Sequence, residues 1–93
     1  MVTLDTIIVR NARFLGAAMG DETVLMSLET GTYFALKATS RAIWEHLREP
    51  VRVRDLCAGL ANTYQAPLDA VESDTLAFLN HLEAQNMIEH RMG

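Results

Sequence analysis

Three histidines, one cysteine and a few closely spaced carboxylates are the side chains of this 93-residue chain with chemistry to offer. A structural zinc site takes Cys and His ligands at characteristic short spacings. His46, His81 and His90 show no such spacing with Cys57 or with each other, so they read as solvated or rim residues. Cys57 falls on the apolar side of a helical period and reads as a small buried hydrophobe. Glu45 and Glu49 form an i, i+4 pair of the kind found on solvated helix faces. Asp69, Glu72 and Asp74 open a helix, where carboxylates complement the positive end of the dipole. There is no glycine-rich phosphate loop and no Ser-x-Gly nucleophile turn. These observations point away from an enzyme and call for no metal or cofactor.

The backbone offers a different chemistry. Gly31-Thr32-Tyr33-Phe34-Ala35-Leu36-Lys37-Ala38-Thr39-Ser40-Arg41-Ala42-Ile43-Trp44 reads as a turn, a short apolar strand, a helix cap and the start of a helix. The rest of the chain beyond it looks helical, so the strand has no evident later partner. A strand at a sheet edge presents unpaired N–H and C=O groups that accept another strand.

The elements around it are set by local signals. Residues 14–19 and 23–28 read as strands joined at Gly20-Asp21, where glycine accepts positive φ at little cost. Glu29-Thr30-Gly31 suits a hairpin loop with a left-handed glycine and a bulge, returning the chain into Thr32–Leu36. Residues 3–10 are β-branched and fit an extra strand or an ordered arm. Thr39 is the expected N-cap of a first helix carrying Ile43, Trp44 and Leu47, which Pro50 ends. Val53, Leu56, Cys57, Leu60 and Tyr64 keep a helical period in a second helix. There Gly59 costs about 1 kcal/mol relative to alanine and would permit close helix packing. Arg52 stands where a capping Ser or Thr is expected, which weakens that helix start. Pro67 opens a third helix, with Leu68, Val71, Thr75, Phe78, Leu79 and Leu82 on its inner stripe. Asn86 fits its left-handed end, after which Met87-Ile88 packs back. The expected fold is α+β: a winged helix-turn-helix-like single domain over residues 1–93, with a three-stranded antiparallel sheet followed by three helices (β-β-β-α-α-α), and residues 1–12 an arm or extra strand.

Bulk properties narrow the function. A chain of this length forms one domain and cannot hold both a deep active-site cavity and a stable core. The formal charge is −4 and the pI about 5.2, which gives little reason to expect a polyanionic partner. A helix-turn-helix reading raises DNA binding, but the charges oppose it. Between Gln65 and His90 stand Asp69, Glu72, Asp74, Glu83 and Glu89 with no Lys or Arg, so a recognition helix there would be repelled by phosphates. A lone cysteine, the lack of a signal-peptide pattern and short apolar runs imply a soluble, cytoplasmic protein.

Gly31-Thr32-Tyr33-Phe34-Ala35-Leu36, followed by Ala38-Thr39 and Ile43-Trp44, resembles the G-x-Y-[FY]-x-L-N-x-T-[GS]-x-x-[IV]-W signature of PqqD-like proteins. Val53-Arg54-Asp55-Leu56 and Asp74-Thr75-Leu76-Ala77-Phe78-Leu79 extend the resemblance, which covers roughly residues 13–90. Lys37 stands where Asn is usual and Ser40 where Gly is common, which puts the strand-to-helix turn in question but leaves the edge.

The resemblance implies a RiPP recognition element, a non-catalytic adaptor that binds the leader of a ribosomally made precursor peptide by strand addition. Thr32, Tyr33, Phe34, Ala35 and Leu36 would supply the pairing strand. Val71, Asp74, Thr75, Ala77, Phe78, His81 and Leu82 would line a groove along the third helix, although Phe78, Leu79 and Leu82 also suit the core. Leu28-Glu29-Thr30-Gly31-Thr32-Tyr33-Phe34 and Trp44 are most like the stand-alone recognition proteins of lasso-peptide pathways. The implied partners there are the precursor leader and a leader peptidase. The alternative is a PqqD-type peptide chaperone serving a radical SAM enzyme in quinone-cofactor synthesis. The arginines from Arg41 to Arg54 form one candidate docking face, unless they merely solvate the surface. The edge would permit a monomer or a weak homodimer.

Overall fold

The computed structural model describes residues 1–91. In chain order the elements are β1 (Ile7–Arg10), β2 (Phe14–Met19), β3 (Glu22–Ser27), β4 (Tyr33–Lys37), α1 (Ala38–His46), β5 (Val51–Arg52), α2 (Val53–Tyr64), α3 (Leu68–Ala84) and β6 (Ile88–Arg91). The strands form two three-stranded antiparallel sheets, ordered β2-β3-β4 and β5-β1-β6.

The first sheet is the expected meander. Gly20 turns β2 into β3 with φ +62 and Gly31 turns β3 into β4 with φ +73, both in the left-handed region that glycine tolerates. The Gly31 N–H donates to the Ser27 carbonyl and the Ser27 N–H to the Thr32 carbonyl, each at 2.9 Å. Gly31 and Thr32 therefore oppose Ser27 as a bulge.

The second sheet corrects the expectation that only helices come after β4. The β-branched run near the N-terminus is its central strand, with Ile8 opposite Val51 on one side and His90 on the other. The strands it recruits are easily overlooked: β5 has two residues, and β6 is the polar run Ile-Glu-His-Arg. Ile8 is fully buried and Val9 nearly so, which makes this segment core and not an arm.

Two expected caps are replaced by other devices. Lys37 occupies the N-cap position of α1 with no side-chain cap, and Ala38 adopts φ +48 as the chain leaves β4. Thr39 lies inside the first turn and does not cap it. Arg52, at the N-cap of α2, also makes no side-chain cap. Instead the Val53 and Arg54 N–H groups donate to the Thr6 and Leu4 carbonyls at 2.9 and 2.8 Å. The N-terminal segment thus satisfies helix donors that would otherwise be orphaned. At the end of α3, Asn86 takes φ +59 and the Met87 N–H donates to the Leu82 carbonyl at 3.0 Å, the expected left-handed stop.

Trp44, Leu25, Leu47, Leu60, Leu79 and Ile8 are among the largest fully buried side chains and join both sheets to all three helices. Two stripe positions lie outside this core, because Tyr64 and Leu68 are about half exposed. A Cβ at Gly59 would meet nothing within 4 Å, so that glycine does not serve close helix packing. Truncating Ile8 to alanine is expected to cost about 2–5 kcal/mol in urea unfolding, as for a core aliphatic. A loss below about 0.5 kcal/mol would mean that β1 peels away without disturbing the core.

Candidate functional site

The backbone pairing in β4 fixes which of its groups are free. In an antiparallel ladder, successive residues point their N–H and C=O alternately toward the neighbour and away from it. Thr32 bonds to Ser27, so Thr32, Phe34 and Leu36 direct their backbone groups to β3. Tyr33, Ala35 and Lys37 direct theirs outward, where β4 has no neighbour in the sheet order. The pairing edge is thus narrower than the whole run Thr32–Leu36, and it includes Lys37. The period of two could have placed Lys37 there, but the Lys37-Ala38 boundary hid the end of the strand.

Two hollows lie along α3, one beside the inner side of β4 and one beside α1. The first measures about 250 Å³ and is bounded by Thr32 and Phe34 and, at the end of α3, by Ala84, Gln85 and Asn86. Its floor includes Phe14, whose ring lies 6.1 Å from that of Phe34. The second measures about 190 Å³, and there Asp74, Thr75 and Phe78 of α3 face Thr39, Ser40 and Ile43 of α1. Ala77 and His81 are both exposed on α3. Val71 is half-buried against the core. Leu36 and Leu82 are buried in it, so of the α3 residues expected at the groove Leu82 packs inward. Thr75 is buried as well but forms part of the floor at the second hollow. Gln85 and Asn86 were missed by sequence reasoning, because a helix terminus carries no apolar period to flag it.

Cys57 and Thr75 lie under this end of α3. Burial raises the Cys57 thiol pKa, the Thr75 hydroxyl pulls it back, and nearby Glu72 adds to the rise. Among the described residues, no three His, Cys, Asp or Glu side chains are grouped to hold a metal ion. Also among them, no helix is long and apolar enough to cross a membrane.

The outer face of the same sheet is unusual. Cross-strand partners share a face, so one row is Leu15, Met26 and Tyr33, the next Ala17, Val24 and Ala35, and the last Met19, Glu22 and Lys37. Leu15, Met19 and Tyr33 are 56%, 63% and 67% exposed. The only charges in these rows pair with each other, Lys37 Nζ to Glu22 Oε1 at 2.8 Å. That hydrogen bond, and then the Glu22 charge, raise the Lys37 pKa. The pair gives Lys37 a role at the position where Asn is usual. The arginine face expected as a dock is mostly self-occupied: Arg48 pairs with Glu45 at 3.0 Å, Arg54 with Asp5 at 3.1 Å, and Arg52 bonds the Asp5 carbonyl at 2.9 Å.

An open strand edge beside hollows walled by helix α3 is the feature that sets this fold apart. The chain belongs to the PqqD family: the family model for coenzyme PQQ synthesis protein D matches residues 22–88. Among solved structures it resembles TbiB1 in complex with the TbiA(beta) leader peptide, with 30% identity and a TM-score of 0.81. That match covers 91% of this chain and 99% of the other. No curated protein matches the chain by sequence.

The buried thiol gives a direct check on packing beneath α3. Cys57 is expected to resist iodoacetamide in the native protein and to react at the rate of a free thiol once urea unfolds the chain. Rapid native alkylation would show that α2 and α3 separate at this point.

Proposed function

We propose that this protein is a non-catalytic adaptor that captures the leader of a ribosomally synthesised precursor peptide by strand addition to β4. The observation that carries the reading is the outward row of N–H and C=O groups on Tyr33, Ala35 and Lys37, set beside the hollows along α3. Main-chain pairing there would give affinity, and side chains entering the two hollows would give selectivity. Similarity over nearly the whole chain to a protein solved with a leader peptide supports leader binding. In this reading Thr32, Phe34, Asp74, Thr75, Ala77, Phe78 and His81 would meet leader side chains. Asp74, exposed at one hollow, is suited to an arginine or lysine of the leader.

The partner that acts on the captured precursor is proposed to be a lasso-pathway leader peptidase, on the likeness of residues 28–34 and Trp44 to that branch. A radical SAM enzyme of quinone-cofactor synthesis is the rival, favoured by the description of the family model. The uncovered apolar outer face is the better dock for either enzyme than the arginine region. It adjoins the leader edge, and every second leader residue would extend it.

Fluorescence polarisation with a labelled leader from a precursor encoded nearby tests the capture step. A scrambled leader is the control, and lasso-type and quinone-type precursors are the two arms. Tyr33→Pro removes an outward N–H without touching the β3 ladder, so it should abolish binding while the fold survives. Asp74→Ala should weaken binding about tenfold, the effect of losing one charge-assisted contact. Equal binding of true and scrambled leaders, or a Tyr33→Pro protein that is folded and still binds, would overturn strand addition at β4.

Leu15→Glu tests the outer face separately. It should leave leader affinity unchanged and slow processing by the partner enzyme about tenfold or more, because it buries a charge in an apolar contact. Unchanged processing would move the dock elsewhere.

A further inference from the structure

A hollow wider than either of the two along α3 lies outside the leader cleft. It measures about 360 Å³ and lies across the sheet, between the inner side of β2, the β1–β2 turn and α1. Its open floor comes from Gly16 and Ala18. A Cβ at Gly16 would stand 3.0 Å from Leu25 Cδ2 and 3.9 Å from Trp44 Nε1, so only glycine leaves this corner empty. Its polar groups come from Arg10, Asn11, Thr23, Trp44, Glu45 and Arg48.

Three residues with donor side chains line it: Arg10, Trp44 and Arg48. Trp44 is only 2% exposed, yet no acceptor among the described residues meets its Nε1–H, which is not sealed from solvent either. The indole N–H is left to solvent within the hollow and is free to donate to an incoming acceptor. The Arg10 guanidinium sits over the Trp44 ring at 5.5 Å from its centroid and, among the described residues, forms no ion pair with a carboxylate. Arg48 contributes a second guanidinium, and its partner Glu45 offsets one of the two positive charges. The hollow therefore carries a net positive charge on a chain that is negative overall.

The strand beside the hollow has a free edge of its own. The Leu28 N–H donates to the Arg13 carbonyl, which sets the alternation along β2 so that Gly16 and Ala18 point their backbone groups away from β3. Among the described residues no strand pairs with that side, and β2 carries no charged residue to discourage one.

We propose that β2 and this hollow form a second peptide-binding site, for an extended segment that pairs with Gly16 and Ala18 and inserts a Glu or Asp carboxylate between Arg10, Arg48 and the Trp44 indole N–H. The carboxylate is the chemistry the pocket selects: it accepts from all three donors and neutralises the surplus charge. An amide in its place accepts fewer hydrogen bonds and leaves both the charge and its own N–H groups uncompensated. The site lies across β3 from the leader edge and does not depend on the leader reading.

Trp44 is the only tryptophan of the chain, so its fluorescence reports this pocket alone. The probes are two acetylated and amidated pentapeptides of alternating threonine and valine, one with a central glutamate and one with a central glutamine. The glutamate peptide should change Trp44 emission saturably and bind at least about tenfold more tightly than the glutamine peptide. Added salt should weaken it. Arg10→Gln and the more exposed Arg48→Gln should each abolish the preference, with far-UV circular dichroism confirming the fold. Equal response to the two peptides in the native protein, or no response at millimolar concentration, would overturn the proposal whatever the variants do.

Discussion

β1 is the strand on which the two ends of the chain depend. It lies between β5 and β6, so residues just before α2 and just after α3 are held to one strand near the N-terminus. The segment leading into it supplies the carbonyls that receive the first N–H groups of α2. The Arg10 N–H then bonds the Leu47 carbonyl beyond α1, and the Asn11 N–H bonds the Met87 carbonyl beyond α3. Each bond satisfies a backbone group that a helix or strand terminus would otherwise leave open. Without β1, α2 would lose its cap, β5 and β6 their ladder, and the core a fully buried isoleucine.

This arrangement leaves the first sheet free. Among the described residues, no strand covers the outer edges of β2 or β4. That sheet therefore exposes its two edges and one apolar side on a domain small enough for such exposure to matter. Charge management is minimal. Lys37 guards one end of β4, but its pairing with Glu22 across the strands neutralises it. The bulge at Gly31-Thr32 closes the other end, limiting the outward row to three residues, Tyr33, Ala35 and Lys37.

Much of this was legible in the sequence, for reasons that differ from element to element. The β2-β3-β4 meander announced itself through Gly20 and Gly31, whose left-handed turns are chemically demanded. α2 and α3 kept to their apolar periods except at Tyr64 and Leu68, and Asn86 marked where α3 stops. The second sheet was hidden because its pairing is long-range: β5 is two residues long and β6 is mostly polar, so neither carries a strand pattern of its own. Thr39 looked like a cap because its side chain is suited to one, yet Ala38 adopts a left-handed conformation and shifts the helix start. The groove was legible only in outline. A helical period tells core from surface, but Leu82 and His81 are adjacent in sequence and only the packing assigns one inward and the other to the surface.

The shortness of the β4 edge has an energetic consequence. Each backbone hydrogen bond contributes only about 0.5–1.5 kcal/mol net, while ordering each residue of a flexible peptide costs about 1–2 kcal/mol. Three outward residues therefore cannot hold a peptide by main-chain pairing alone; pairing at best offsets the ordering of the segment that pairs. The surplus has to come from side chains that leave water, at about 1.5–3 kcal/mol for a fully buried aliphatic or aromatic group. The two hollows along α3 are where that burial is available. In the proposed mode the edge would set direction and register, while Phe34, Phe78 and the end of α3 would decide which sequence stays bound. A longer edge would bind more sequences less selectively, and it would offer a second copy of the chain the same foothold.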